Sequence, residues 1–536
     1  MNLMEHKISK TIMSGIFLFI PLISYAQNKY LPDMHEAEHR FAASGSYNPA
    51  FLTQFPIERT SYLQASGNIG SGDFIDYNQS SSTRGYGIKT ESYYRFNDRM
   101  MLYGMMSYGN SRGEDMSGSA FIPTTFLPFD LVETTDTCAG DKELEIYSLS
   151  GALGYRLTSA LTIGGKVYYQ SSNYAKFKDL RHQNSKMQLQ VNAGAAYDIN
   201  QLFTVGLSYQ YHRSNESLSF GVYGNTDRQY YTLIDLGGFF GRNEVFSDMG
   251  VGYTSESTPL FTETHGGALQ LQINPGRNIC WFNEFVYNAG DGMYGSGDDL
   301  DVTYSTNDVT YMGYRGKMQI KHGSDAHVIE LAAGNASTKN YENNYKMTTD
   351  KDGISHIQYY GSNQVLDRDN IEAALKYTFF KDADKAVSTY YLGAAVHFSN
   401  MESTTTLYPF YRKQTINTWD ASLFGAYRWF VKNQVFTLSA DLSYGAGGGT
   451  MNNDGVYASV SDGQKRPDTR NDLLQKHYDY LTAQRLGGSI RMGYERNILK
   501  NISAYAIAGV SPRYALDSSL KKEHYLQFDL QLGVKF

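Results

Sequence analysis

The last part of the chain, residues 525–536, alternates between apolar and polar residues. Its even positions are all apolar: Leu526, Phe528, Leu530, Leu532, Val534 and Phe536. From position 527 onward, the odd positions hold only polar residues or glycine. Because the side chains of a β-strand point alternately to its two faces, this pattern predicts a strand with one apolar and one polar face.

The same alternation recurs along the chain. Apolar residues occupy every second position in segments 187–197, 202–212 and 435–444. Each segment is about ten residues long, which is the length that a tilted strand needs to cross a bilayer. After the first 26 residues there is no apolar run of about 18 residues, the length that a transmembrane helix requires. The pattern therefore predicts an all-β protein whose strands cross a membrane.

Short and long connections alternate between these strands. Short polar turns are predicted at 97–98, 200–201, 275–278, 323–325, 432–433 and 500–501, and longer segments rich in Gly, Asp, Ser and Tyr at 114–142, 219–262, 289–305, 342–365 and 448–482. Outer-membrane barrels combine short periplasmic turns with longer extracellular loops. Residues 59–536 are thus predicted to form a transmembrane antiparallel β-barrel of about 18 strands, within a range of about 14–18.

Two tryptophans give an estimate of the membrane thickness. Trp419 and Trp429 lie on one face of a predicted strand, with Leu423 and Tyr427 between them. Ten residues at about 3.3 Å each, tilted by about 40°, rise roughly 25 Å, the height of the apolar band between aromatic girdles. The alternative is a pair of core tryptophans in a soluble sheet.

The composition agrees with a wide barrel. The chain contains 45 Tyr, 28 Phe and 51 Gly but only 11 Pro, and its mean hydropathy is -0.44. Only alternate residues of a barrel strand contact lipid, so a polar average is expected. The net charge of -7 and the absence of a basic run give no indication of nucleic-acid binding. The only two cysteines, Cys138 and Cys280, fall on opposite sides of the predicted apolar band, so we expect two free thiols.

The first residues predict export. Lys7 and Lys10 precede an apolar run over 12–23, and Ser24-Tyr25-Ala26 has the small residues of a cleavage site. A single transmembrane anchor is the alternative, but this run is too short to cross about 30 Å of hydrocarbon as a helix. Residues 1–26 are therefore predicted to be a signal peptide.

A final strand that ends in Phe, in a chain that begins with an export signal, resembles the terminal signal by which Gram-negative outer-membrane barrels are recognised for insertion. Phe528, Leu530, Leu532, Val534 and Phe536 are the residues that carry the resemblance. It implies an outer-membrane location, contact with outer-membrane lipid and the barrel assembly machinery as a partner.

Residues 27–58 do not alternate. Asp33, followed three residues later by Glu36, predicts the start of a short helix that ends near Ala43. The sequence Asn48-Pro49-Ala50 resembles the N-terminal hatch motif of the long-chain fatty-acid transporter type of barrel, which implies a plug inside the lumen. Asn-Pro is also an ordinary turn signal.

Charged residues occur on the predicted inner faces of several strands. Because Arg or Lys facing lipid at the bilayer midplane costs about 2–4 kcal/mol, these residues are expected to line the lumen. The simpler interpretation is that these charged residues are solvated and paired in a water-filled lumen. The more specific interpretation is that they select an anionic or amphipathic solute. The candidates are Lys89, Glu91, Arg95, Arg315, Lys317, Glu372, Lys376, Arg485 and Arg491.

No motif predicts catalysis, a cofactor or a metal. The aspartates of a Gly-rich segment, Asp291, Asp298, Asp299 and Asp301, could hold Ca²⁺, but their spacing does not match an EF-hand loop. The chain has neither an H-E-x-x-H nor a G-x-S-x-G motif. His212, His327 and His397 are interpreted as lumen or turn residues, so we predict that the protein is not an enzyme.

The sequence therefore favours an outer-membrane channel or transporter for a small or amphipathic solute, with a plug formed by residues 27–58. The alternative is a non-conducting barrel that is a protein partner in an uptake or secretion complex of the cell envelope. Long Tyr-rich loops suit such contacts.

Overall fold

A computed structural model describes residues 30–123, 127–134, 138–224, 227–246, 252–254, 258–295, 302–349, 351, 355–499, 501–517, 520 and 523–536. The predicted signal peptide lies outside these residues. The helices are α1 (Met34–Arg40), a 3-10 helix (Pro49–Gln54) and α2 (Asn471–Thr482). The strands are β1 (Arg59–Gly72), β2 (Ser82–Asn97), β3 (Met100–Met116), β4 (Gly118–Ser119), β5 (Asp130–Glu133), β6 (Gly140–Arg156), β7 (Leu161–Lys176), β8 (Arg181–Asp198), β9 (Phe203–Gly221), β10 (Tyr231–Asp235), β11 (Phe240–Val245), β12 (Thr258–Ile273), β13 (Ile279–Gly295), β14 (Thr303–His322), β15 (Asp325–Thr349), β16 (Ser355–Lys381), β17 (Tyr390–Leu407), β18 (Phe410–Val431), β19 (Gln434–Val456), β20 (Asp468–Thr469), β21 (Arg485–Leu499), β22 (Ile502–Ala515) and β23 (His524–Lys535).

Eighteen of these strands form one closed antiparallel barrel, which confirms the predicted fold class. The other five strands, β4, β5, β10, β11 and β20, are not part of the barrel sheet. The ring closes where β1 pairs with β23, from Tyr62 opposite Lys535 to Gly72 opposite Tyr525. Phe536 and Ser61 extend this seam by exchanging two backbone hydrogen bonds of 2.8 and 2.9 Å. Closure thus pairs both terminal strands along both of their edges, so neither offers an edge to another chain.

Outward-facing side chains form an apolar belt around the barrel. On β23, Phe528, Leu530 and Leu532 are exposed on the outer face, as the alternation predicts. Trp419 and Trp429 are likewise exposed on the outer face of β18. An apolar belt of this kind, with short turns at one end and long connections at the other, is the arrangement of a Gram-negative outer-membrane barrel, and the protein is located in that membrane.

Three of the long connections fold together. Parts of 114–142, 219–262 and 448–482 form a second sheet in the order β20–β11–β10–β5–β4. Helix α2 packs beside this sheet, with Leu474 buried against Val132 and Leu233. We call the five strands and α2 the cap. The cap has an apolar core that it shares with the barrel wall, and burial of those side chains stabilises what would otherwise be irregular loops.

Two segments predicted as loops are largely strands. β13 continues to Gly295 within the expected loop 289–305, and the β15–β16 hairpin occupies most of 342–365. The hairpin stays paired beyond the apolar belt, with register shifts after Asn340 and Asn344. Outside lipid neither face needs to be apolar, so backbone pairing continues after the alternation that predicts it has ended.

The N-terminal segment, residues 30–58, begins as predicted. The Asp33 carboxylate accepts a hydrogen bond of 3.1 Å from the Glu36 amide and caps α1, which ends at Arg40 rather than near Ala43. Both cysteines are buried free thiols, Cys138 in the cap core and Cys280 beside the short turn 275–278. Among the described residues, no helix is long and apolar enough to cross a membrane.

Membrane topology can be tested by cysteine labelling of intact cells. Asn453 lies at the long-loop end and Asn501 at the short-turn end, and both are exposed. A membrane-impermeant maleimide should label Asn453→Cys but not Asn501→Cys, with little background because both native thiols are buried. Equal labelling of the two variants would contradict the orientation.

Candidate functional site

The N-terminal segment lies against a row of inward-facing glycines. Gly154, Gly164 and Gly194 stand directly opposite one another on β6, β7 and β8. A Cβ at Gly164 would lie 2.5 Å from the Ala50 nitrogen, and one at Gly154 would lie 3.0 Å from Cγ2 of Thr53. The 3-10 helix fits against the wall because these positions carry no side chain.

Asn48 is the most extensively bonded residue of this contact. Its Nδ2 donates to the Ala195 carbonyl at 2.8 Å and to Oε1 of Gln270 at 2.9 Å. Its Oδ1 accepts a hydrogen bond of 3.0 Å from the Ala50 amide and so caps the 3-10 helix. Pro49, the first residue of that helix, has no N–H group and needs no such partner. Asn48, Pro49 and Ala50 are all buried in the contact.

Charged side chains of the wall bind the same segment. Arg95 donates to the carbonyls of Thr53 and Phe55 at 3.1 and 2.7 Å. Glu284 accepts from the Ser46 hydroxyl at 2.6 Å and pairs with Arg315 at 2.6 Å. Glu284 is buried, so its charge is offset by the Arg315 guanidinium, as a buried charge requires.

Helix α1 crosses to the opposite side of the lumen. Glu36 is buried and accepts hydrogen bonds of 2.8 Å from both the Ser388 hydroxyl and Nη1 of Arg428. Asp33 lies 3.7 Å from Nζ of Lys535 on the last strand. The segment therefore contacts the inner wall on most sides of the barrel.

Four cavities follow one another through the lumen, with volumes of about 590, 490, 310 and 1100 Å³. The second and third border β19, β21 and β22, the first lies mainly against β2, β3 and β6, and the fourth lies beside the N-terminal segment at the short turns between β6 and β17. Phe74 and Arg513 line the first and second cavities, Arg491 lines the second and third, and Asp33 lines the third and fourth. Adjoining cavities thus share walls over the height of the barrel.

The two middle cavities are lined by charges of both signs. The second is lined by three arginines, Arg485, Arg491 and Arg513, and two aspartates, Asp420 and Asp441. The third likewise has three Arg or Lys side chains and two carboxylates. Further carboxylates lie against these cations, because Asp529 is 3.6 Å from Arg491 and Glu36 is 2.8 Å from Arg428.

The candidate residues from the sequence fall into three groups and one separate residue, Glu372. Arg485 and Arg491 line the cavities. Lys317 and Lys376 flank Glu330 at 3.4 and 3.9 Å, while Lys89 pairs with Glu91 at 2.6 Å. Arg95 binds the N-terminal segment, and Arg315 pairs with Glu284, which binds the same segment. Glu372 alternates with outward-facing Ile371 and Leu375, which leaves it exposed on the inner face of β16.

Several residues of the cavities were not among the sequence candidates, including Asp420, Asp441, Arg513 and Lys535. A signal for them was present, because each alternates with outward apolar neighbours, as Asp441 does between Ala440 and Leu442. The glycine row has no such signal, since it appears only when register across strands is known.

Nothing in the described part of the chain gathers metal ligands. No group of three or more His, Cys, Asp or Glu side chains is arranged to hold a metal among those residues. Asp291 lies on β13, whereas Asp298, Asp299 and Asp301 are outside the described residues. His327 hydrogen-bonds to the Tyr377 hydroxyl at 2.8 Å near a short turn, far along the wall from His212.

Comparison with known proteins gives a family but no function. A profile described as "Family of unknown function (DUF6850)" matches residues 49–536. No curated protein sequence matches the chain. Similar solved structures include the ferric preacinetobactin receptor BauA from Acinetobacter baumannii, with 8% identity, a TM-score of 0.40, and 89% of this chain and 80% of that chain covered. The toluene transporter TbuX from Ralstonia pickettii has 10% identity and a TM-score of 0.32, with 95% of this chain and 98% of that chain covered. The toluene transporter TodX from Pseudomonas putida has 10% identity and a TM-score of 0.30, with 95% of this chain and 99% of that chain covered.

Proposed function

The chain belongs to the family of unknown function DUF6850, and we propose that it passes a small or amphipathic solute through the outer membrane along the four cavities of the lumen. The observation that carries this proposal is the row of adjoining cavities that share Phe74, Arg491 and Asp33 as walls. A barrel that served only as a scaffold would have no need of a series of cavities lined by charged side chains.

We further propose that the N-terminal segment is the plug of this barrel. Asn48-Pro49-Ala50, which resembles the hatch motif of fatty-acid transporters, is held by the glycine row and by Gln270. Because Asp33 of the segment lines both the third and the fourth cavity, the position of the segment determines the width of the route between them. Displacing it would join these cavities through the space that it now fills.

The alternative, a non-conducting barrel in an envelope complex, is favoured by one observation. Both ends of the lumen are covered, by the cap at one end and by α1 at the other. Ion current through the purified full-length protein in planar bilayers discriminates between the two functions.

We expect a small current from the native chain and a several-fold larger one from Gly194→Leu. A Cβ at Gly194 would collide with the Asn48 side chain, so leucine should expel the segment from the wall. Gly109→Leu is the matched control, because a Cβ added to that inward glycine on β3 would meet no other atom within 4 Å. The heat-modifiable folded fraction verifies that each variant has inserted. Folded native protein and Gly194→Leu that both lack current would rule out passage and support the partner function.

A further inference from the structure

The second cavity is a recess formed by three arginines and the small residues between them. Along the inner face of β21, Arg485, Gly487, Ser489 and Arg491 follow one another at every second position, and Arg513 projects from β22 opposite Gly487. The small side chains leave a volume of about 490 Å³. This volume lies within the range of about 300–1,000 Å³ that is usual for small-molecule sites.

The three guanidinium groups are not equally neutralised. Arg485 is fully engaged, at 2.8 Å from Asp420 and with a hydrogen bond of 2.7 Å to the Leu481 carbonyl. Arg491 is 3.6 Å from Asp529, too far for a hydrogen bond. Within the described part of the chain, Arg513 has no hydrogen-bond acceptor. Two arginines therefore present donors to the recess.

The rest of the lining is rich in hydroxyl groups. Thr418, Ser443, Ser489 and Ser511 surround the recess, and the Asp441 carboxylate accepts a hydrogen bond from the Ser489 hydroxyl. Leu481, Leu486 and Pro512 also line the recess, and Phe74 and Tyr480 are in contact at its outer end with ring centroids 5.0 Å apart. An alkyl chain in this recess would strip water from hydroxyls without replacing their hydrogen bonds, which is unfavourable. A polar ligand can replace those bonds.

We propose that this recess binds a hydroxyl-rich organic anion such as an acidic monosaccharide. This proposal rests on the proposed function. Arg513 and Arg491 bind the carboxylate or sulfate through charge-assisted hydrogen bonds. The serine and threonine hydroxyls and Asp441 bond to the sugar hydroxyls, and the aromatic pair covers one face of the ring. The site selects the solute before it reaches the N-terminal segment.

The test is titration calorimetry of the full-length protein in detergent with galacturonate, galactose 6-sulfate, galactose and decanoate, alongside current measurements in planar bilayers. Both anionic sugars should bind, and Arg513→Ala and Arg491→Ala should each weaken that binding by about tenfold or more. Arg84→Ala, which removes an exposed arginine from the outer face of β2, is the control and should bind like the native chain.

Galactose or decanoate binding as tightly as galacturonate would overturn the assignment of the ligand, as would unchanged affinity in both arginine variants. Either result leaves passage intact if the native protein conducts. Arginine-dependent binding by a protein without current would instead support the site and refute the proposed passage, so the two proposals fail separately.

Discussion

Replacing Leu530 by arginine is expected to leave most of the protein outside the outer membrane. Leu530 lies midway along β23 with its side chain exposed on the outer face, between Gly67 of β1 and Ala508 of β22. Neighbours that small cannot shield a guanidinium group from lipid. An arginine near the bilayer midplane costs about 2–4 kcal/mol, and the cost falls on the strand that closes the barrel. The measurement is the heat-modifiable folded fraction in isolated outer membranes.

The adjacent position provides the control. Gln531 faces the third cavity, where water can solvate an arginine, so Gln531→Arg should insert nearly as well as the native chain. Deleting Phe536 removes the last residue of the proposed assembly signal and should also reduce insertion, although it places no charge in lipid. If Leu530→Arg and Gln531→Arg fold equally well, the outward assignment of the even positions of β23 is wrong.

The barrel could be predicted from the sequence because lipid imposes a period of two on every membrane-crossing strand. The constraint covers residues such as Phe436, Leu438 and Leu442, which are exposed on the outer face of β19. This constraint ends where the wall leaves the membrane, and there the prediction of loops instead of strands is wrong. β16 begins at Ser355, whereas clear alternation starts only near Asn370. The cap lies wholly beyond that limit, so its sheet is set by long-range pairing such as Leu233 opposite Val132.

The expectation that charged residues face the lumen follows from the same constraint, since Arg or Lys facing lipid at the bilayer midplane is costly. The sequence does not indicate which of these charges meet. Arg485 and Asp420 are 65 positions apart, and Glu36 reaches Arg428 across 392 positions. Sequence alternation assigns a face to each residue, but the height of the residue in the barrel depends on strand register and shear. The glycine row under Asn48 shows the same limit, because a contact made by missing side chains depends entirely on register.

Replacing Glu133 by glutamine is expected to loosen the cap. Glu133 belongs to β5, and its carboxylate lies 2.6 Å from Lys176 on β7 and 3.9 Å from Lys142 on β6. All three side chains are at most 1% exposed. Glutamine keeps the shape but leaves the buried Lys176 ammonium without its counter-ion and Lys142 with only the charge of Asp130, and such a loss costs about 3–5 kcal/mol.

Hydrogen exchange of the Val132 and Leu233 amides measures the effect, because these residues pair across the centre of the cap sheet. At about 1.4 kcal/mol per tenfold change, protection should fall by at least about 100-fold. The double variant Glu133→Gln with Lys176→Met restores the original net charge of the buried group and should recover much of that protection. Equal losses in the single and double variants would show that charge balance does not hold the cap. Protection at the native level in Glu133→Gln would mean that the apolar core around Phe121 and Phe129 is sufficient by itself. The apolar core could then keep the outer end of the lumen covered whatever the charge state of Glu133.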